Sequence, residues 1–291
     1  MNYRYSAEQV VLLLQSMASL TAACHPATVD DCLSRATEFY DRGNYSEAVA
    51  YASQALFRKP NDHLGRALRG CANLQLGKPQ LALSDFSVIK QDARDVVMVH
   101  LWCAQAHIML ADTISALEDL NVALELDRFC HFAFYLRGKI YVDLKNYEQA
   151  FIEFTDAIEI MPTYTYFIAR SVIPYVHGAF EATLADLGAA IDSEPELPHG
   201  FIARGTLLLE LGMWQACVED FSAALQRSPD IGLVFYLRSL AWLRLGNFSS
   251  AVSDMTEAAN RVSSYQDVLN ELIEKVRVIN FFFENLGTVF N

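Results

Sequence analysis

The stretch that decides the fold is residues 131–162, HFAFYLRGKIYVDLKNYEQAFIEFTDAIEIMP. Gly138 sits in the middle of one apolar pattern at helical spacing, with Tyr141 after it. The polar pair Lys145-Asn146 breaks that pattern. A second one then places Ala150, Phe154 and Ala157 on one face and stops at Pro162. The segment therefore reads as two helices joined by a short turn. A shift of 33 or 34 residues in either direction returns the same arrangement. FYLRG at 134–138, FIARS at 167–171, FIARG at 201–205 and FYLRS at 235–239 are its clearest echoes. Unrelated helices would not keep that interval four times. Gly or Ser at the fifth letter predicts close approach of the two antiparallel helices in one unit. The aromatic at the first letter is expected to fill the gap to the neighbouring unit.

Paired helices of this period, with aromatic, small and proline residues at fixed offsets, resemble the tetratricopeptide repeat (TPR) family. The resemblance implies an all-α fold: an α-solenoid, a right-handed superhelix of helix-turn-helix repeats that works by binding. Seven repeats are expected, at 29–62, 63–96, 97–130, 131–163, 164–197, 198–231 and 232–263. The first keeps Phe39, Gly43, Tyr45 and Pro60; the sixth keeps Gly205, Gly212, Trp214, Phe221 and Pro229. Pro174 falls inside the first helix of the fifth, where the lost backbone hydrogen bond predicts a kink. Residues 1–28 form an N-terminal segment. In it Ser6-Ala7-Glu8-Gln9 fits a capping box, and Val10, Leu13, Leu14, Met17 and Leu20 predict an amphipathic helix over 6–23. The rival reading is a lipoprotein signal ending in Leu20-Thr21-Ala22-Ala23 before Cys24. Against it, only Arg4 is basic, Glu8 is acidic, and Gln15 interrupts the apolar run. Residues 264–291 read as a capping helix and tail, because the end of a solenoid exposes an unburied face. Val268, Leu269, Leu272, Ile273, Val276 and Ile279 make the apolar stripe of that helix. Phe281-Phe282-Phe283 is assigned to wrapping it, with a contact for another chain as the alternative.

Net charge is −13, with 22 basic and 35 acidic residues. That excludes a role built on nucleic-acid backbones or anionic membrane surfaces, which call for basic patches. The apolar run Val10–Leu14 is far too short to span a bilayer, so no transmembrane segment is expected. Six cysteines without a CxxC pair read as reduced thiols of an intracellular protein, and the expected location is cytoplasmic. No Gly-rich phosphate loop, nucleophile elbow or HExxH is present, so neither an enzyme nor a cofactor is expected.

Arginine recurs at the seventh place of the first helix, as Arg69, Arg137, Arg170, Arg204 and Arg238. A carboxylate stands sixteen residues after each: Asp85, Glu153, Asp186, Asp220 and Asp254. Since the turn lies midway, five structural Arg–carboxylate pairs are expected inside the hairpins. The third repeat departs from the rule, with Cys103 at the arginine place and Asp119 at the acidic one. His100 and His107 share a helix face with Cys103, which is the spacing of metal ligands. No metal is expected there, because no second cluster supports one. The preferred reading is a histidine donating to Asp119 in place of the missing arginine.

In TPR-like arrays the first helices line a concave surface. The resemblance places Leu33 and Tyr40 there, then Leu64 and Leu74, then Met98, Leu101, Gln105 and Ile108. Phe132, Tyr135 and Lys139 follow from the central repeat, then Ile168 and Tyr175. His199, Ile202 and Leu209, with Tyr236, Leu240 and Leu243, complete it. Relatives that hold acidic chaperone tails use a Lys/Asn/Arg clamp at such places; here Leu33, Thr37 and Leu68 stand there, so that role is excluded. The expected function is a scaffold or adaptor that binds an apolar or amphipathic segment of a partner protein in this groove. The alternatives are a cell-envelope TPR lipoprotein or assembly factor, a carrier of an apolar small molecule, or a self-associating protein whose own termini fill the groove.

Overall fold

The structure, a computed structural model, describes residues 28–276. The amphipathic stretch 6–23 and Phe281-Phe282-Phe283 lie outside them. Fourteen α-helices pair into seven antiparallel hairpins, and there are no strands among the described residues. The chain divides into two compact units, 1–160 and 161–291. In the first, the hairpins are α1 (Thr28–Asp41) with α2 (Tyr45–Arg58), α3 (His63–Gln75) with α4 (Pro79–Asp92), α5 (Val97–Met109) with α6 (Thr113–Leu126), and α7 (His131–Asp143) with α8 (Tyr147–Ile160). In the second they are α9 (Tyr164–Val176) with α10 (Phe180–Ser193), α11 (Pro198–Glu210) with α12 (Trp214–Arg227), and α13 (Gly232–Arg244) with α14 (Phe248–Arg261). A 3₁₀ turn, Ser263–Tyr265, leads into helical residues 266–276. Each unit is a stretch of all-α solenoid.

Six of the seven hairpins close because a small residue on the first helix faces a large one sixteen positions on; in the first, Ala36 faces Ala52. At Gly138 a Cβ would lie 2.6 Å from the Phe154 ring, and at Gly205 2.8 Å from that of Phe221. Where the first helix carries Ala104, Ser171 or Ser239 instead, the second carries the smaller Leu120, Leu187 or Met255, all buried. Volume is thus conserved across the contact, as close packing demands. The first-letter phenylalanines take a further role. Phe134, Phe167 and Phe235 lie under the guanidinium groups of Arg137, Arg170 and Arg238, at 5.6, 6.0 and 5.6 Å. Phe201 and Phe235 also lie under Arg227 and Arg261, at 4.4 and 4.5 Å.

All seven hairpin turns share one hydrogen-bond pattern. In the fourth, Lys145 N–H donates to Val142 O and Asn146 N–H to Tyr141 O. This Schellman arrangement needs one residue in the left-handed region. Glycine supplies it five times, with φ between 71° and 77°, while Ala111 (57°) and Lys145 (58°) adopt it at a steric cost. Helix α9 runs its full thirteen residues through Pro174, whose carbonyl accepts from Ala179 N–H in the following turn.

In the first unit one continuous core runs from Cys32 to Ile140, with Phe86 and Trp102 stacked at 5.4 Å. In the second, one cluster surrounds Phe221. Another packs Leu269 and Leu272 of the terminal helix against Met255 and Ala259, where Tyr265 stacks on Tyr236 at 4.9 Å. Each such side chain taken fully out of water contributes about 1.5–3 kcal/mol.

Candidate functional site

The arginine–carboxylate positions come together in every hairpin that carries both. Arg69 donates from Nε and Nη2 to Asp85 Oδ2 and Oδ1 at 2.8 and 2.7 Å, and Arg204 does the same to Asp220. Arg238 holds Asp254 at 2.8 and 2.7 Å, and Arg170 holds Asp186 at 3.1 and 2.6 Å. Arg137 donates to Glu153 at 2.9 Å, with Gln149 on the other oxygen at 3.0 Å. The third guanidinium nitrogen also reaches back sixteen residues: Arg137 Nη1 donates to Asn121 at 3.0 Å and Arg238 Nη1 to Ser222 at 2.9 Å. Arg137 and Arg238 therefore fasten their own hairpins and staple them to the ones before. The carboxylates are buried and occupied, so none is placed to act as a general acid or base.

In the third hairpin Asp119 is 2 % exposed and still holds a cation. Lys90 of α4, in the preceding hairpin, forms an ion pair with Oδ1. His100 Nδ1 lies 3.3 Å from the same oxygen and His107 Nδ1 lies 3.1 Å from Oδ2. Burial pushes the Asp119 carboxyl up, but hydrogen bonds from His100 and Lys90 and the charges of Lys90 and His107 outweigh it and lower its pKa. Burial, with the Asp119 charge, pushes the Cys103 thiol up to about 12, so that sulfur stays protonated at neutral pH. Among the described residues no group of three or more His, Cys, Asp or Glu is arranged to hold a metal ion. His100, Cys103, His107 and Asp119 share a neighbourhood already holding an ammonium, which repels a metal cation. Lys90 is the member that sequence reasoning missed. It lies 29 residues from Asp119, outside the regular offset of sixteen.

The residues assigned to the first-helix face divide by depth. Leu33, Tyr40, Leu74, Leu101 and Phe132 belong to the core of the first unit, and Leu101 is only 3 % exposed. Burial in the core and a place at the cleft are not exclusive: Phe132 and Leu74 belong to this core and also line the cleft described below. Leu64, Met98, Gln105, Ile108 and Tyr135 are half-buried, and Lys139 is exposed. In the second unit Ile168, Ile202, Leu209, Tyr236, Leu240 and Leu243 are half-buried, while Tyr175 and His199 are exposed. The Tyr175 hydroxyl donates to Glu210 at 3.1 Å.

Part of this face forms a cleft of about 340 Å³ in the first unit. Leu74, Gln75 and Gly77 of the α3 end form one wall, and Gln105, Ile108 and Met109 of α5 the floor. Phe132, Tyr135, Leu136 and Lys139 of α7 close it. The rings of Phe132 and Tyr135 stack at 5.9 Å, Tyr135 leans on Phe154 at 6.0 Å, and Lys139 Nζ lies 5.7 Å from the Tyr135 centroid. Three successive first helices thus meet around an apolar pocket with two carboxamides and one ammonium on its surface.

The tetratricopeptide repeat pattern matches residues 33–95 and 202–263, and a second pattern of the same repeat matches 133–164. The chain belongs to the tetratricopeptide repeat family. No curated protein matches it. Among solved structures it is similar to a tetratricopeptide repeat protein from Parabacteroides merdae: 20% identity, TM-score 0.55, covering 85% of this chain and 98% of that one. YrrB, described as a TPR protein with an unusual peptide-binding site, is 19% identical with a TM-score of 0.53, over 65% of this chain and 97% of its own. The Cut9–Hcn1 assembly of the APC/C contains a chain that is 12% identical, with a TM-score of 0.58 over 93% of this chain and 53% of that one. At these identities the likeness is one of TPR fold. No helix among the described residues is long and apolar enough to cross a membrane.

Proposed function

We propose that this TPR protein is a non-enzymatic scaffold that binds a segment of a partner protein on its first-helix face, with the α3–α5–α7 cleft as the principal seat. The carrying observation is the cleft itself: three consecutive first helices leave Ile108, Met109 and Tyr135 accessible around about 340 Å³, within the range of ligand-holding pockets. Its only ionisable side chains are Tyr135 and Lys139, which supports binding over catalysis. The peptide-binding site named for YrrB fits the same reading.

The test is affinity capture of partners by the intact chain, compared with an Ile108→Glu, Tyr135→Glu variant. Both positions line the cleft and are half-buried, whereas a charge at Leu101 would enter the core and unfold the hairpin. Partners captured by the wild type should be lost by the folded variant. A variant that keeps every partner removes the face from the mechanism. Capture of partners only after residues 1–28 are deleted would show instead that the chain's own terminus occupies the cleft.

A further inference from the structure

The chemistry of the cleft narrows its occupant, on the reading that the cleft is a binding seat. Gln75 and Gln105 line it from successive first helices, and neither carboxamide has a hydrogen-bond partner among the described residues. A carboxamide donates and accepts at once, so it can pair with a peptide unit. A helical ligand has most of its peptide units tied up internally, whereas an extended one offers them. Lys139 is the cleft's one cation. It is exposed, it rests beside the Tyr135 ring, and no carboxylate lies within ion-pair distance of it among the described residues. No acidic side chain lines the cleft. On a chain of net charge −13, a carboxylate is repelled by the protein at large and met by a cation here.

We propose that the cleft takes an extended segment of a partner protein. This segment seats one large apolar side chain between Ile108 and Tyr135 and sets a carboxylate from an adjacent residue against Lys139. Gln75 and Gln105 hold its backbone. Specificity then has two parts: the pocket selects an aromatic or large aliphatic residue, and the ammonium selects an acidic neighbour.

The experiment is selection of random displayed peptides on the intact chain. Selected sequences are then synthesised and titrated against wild type, Ile108→Arg, Lys139→Glu and Gln105→Ala, with far-UV circular dichroism and melting curves confirming that each variant folds. Methyl resonances of Ile108 and Met109 in the wild type report cleft occupancy without any substitution. The expected peptides perturb those methyls, lose binding to Ile108→Arg, and carry Asp or Glu within two residues of the apolar one. They should bind Lys139→Glu about tenfold or more weakly, a change carried by electrostatics at the rim. They should also weaken on Gln105→Ala and on N-methylation of the backbone beside the apolar residue. Peptides that occupy the cleft but are helical, lack an acid, or bind Lys139→Glu unchanged would overturn the extended acidic ligand and leave the seat intact. Peptides that bind without moving the Ile108 and Met109 methyls, or no selected peptide at all, would overturn the seat as well.

Discussion

Removing the Arg137 guanidinium tests the idea that buried carboxylates bind the hairpins together. Glu153 is 1 % exposed, with Arg137 on one oxygen at 2.9 Å and Gln149 on the other at 3.0 Å. In Arg137→Ala the carboxylate stays buried with only a neutral donor. The same change removes the bond to Asn121 in the preceding hairpin and the cation above Phe134. Breaking a buried pair by deleting one partner costs about 3–5 kcal/mol. Arg137 keeps about a fifth of its side chain exposed, so water enters readily and the lower figure, about 3 kcal/mol, is the expected one. Urea unfolding gives the total, and amide exchange along α7 and α8 locates it. Arg137→Met with Glu153→Leu should recover most of the loss, because an apolar pair of similar volume leaves no stranded charge. A single-variant cost under about 1 kcal/mol, the size found for exposed surface pairs, would refute the reasoning.

Three further outcomes follow from the same hairpins. Lys145→Gly relieves a left-handed residue at φ 58° and should raise stability by roughly 0.5–1 kcal/mol once the extra freedom of glycine in the unfolded chain is subtracted, read from urea midpoints. Gly138→Ala puts a methyl where the Phe154 ring lies 2.6 Å away, so it should cost about 1–3 kcal/mol in the same assay, against nothing for an alanine placed on an exposed helical surface. Because the Asp119 pKa is lowered in the fold, its stabilisation is fully present above the ordinary value of 3.8 and fades as pH falls through the folded value. Asp119→Asn should therefore flatten the stability loss that sets in as pH falls below the ordinary carboxyl value of 3.8, measured by urea unfolding at each pH.

The architecture was legible because the period is a packing requirement written residue by residue. Gly138 and Phe154 sit sixteen apart on either side of a turn, and the same offset links Gly205 with Phe221. The five arginine–carboxylate offsets were readable for the same reason, since positions equidistant from a hairpin turn lie side by side. What the period hid was every feature that crosses from one hairpin to the next. Lys90 reaches Asp119 from the preceding hairpin, and the bonds from Arg137 to Asn121 and from Arg238 to Ser222 run the same way. These depend on how neighbouring hairpins stack, and no interval within one repeat encodes that.

Depth was the second hidden quantity, and it bears directly on the cleft. Helical periodicity says which residues share a face; it does not say how far a neighbouring helix covers that face. On α5, Leu101, Gln105 and Ile108 fall on one stripe at intervals of four and three, yet Leu101 is sealed in the core while Gln105 and Ile108 open onto the cleft. Depth varies along the stripe itself: Leu101 is covered by its neighbours, while Met98 before it and Gln105 and Ile108 after it are half-buried. The cleft is accordingly built at the turn-proximal ends of α3 and α5, from Leu74, Gln75, Ile108 and Met109, beside the Gly77 turn. At this cleft the accessible side chains collect near the hairpin turns of α3 and α5, while Leu101 on the same stripe holds the hairpins together.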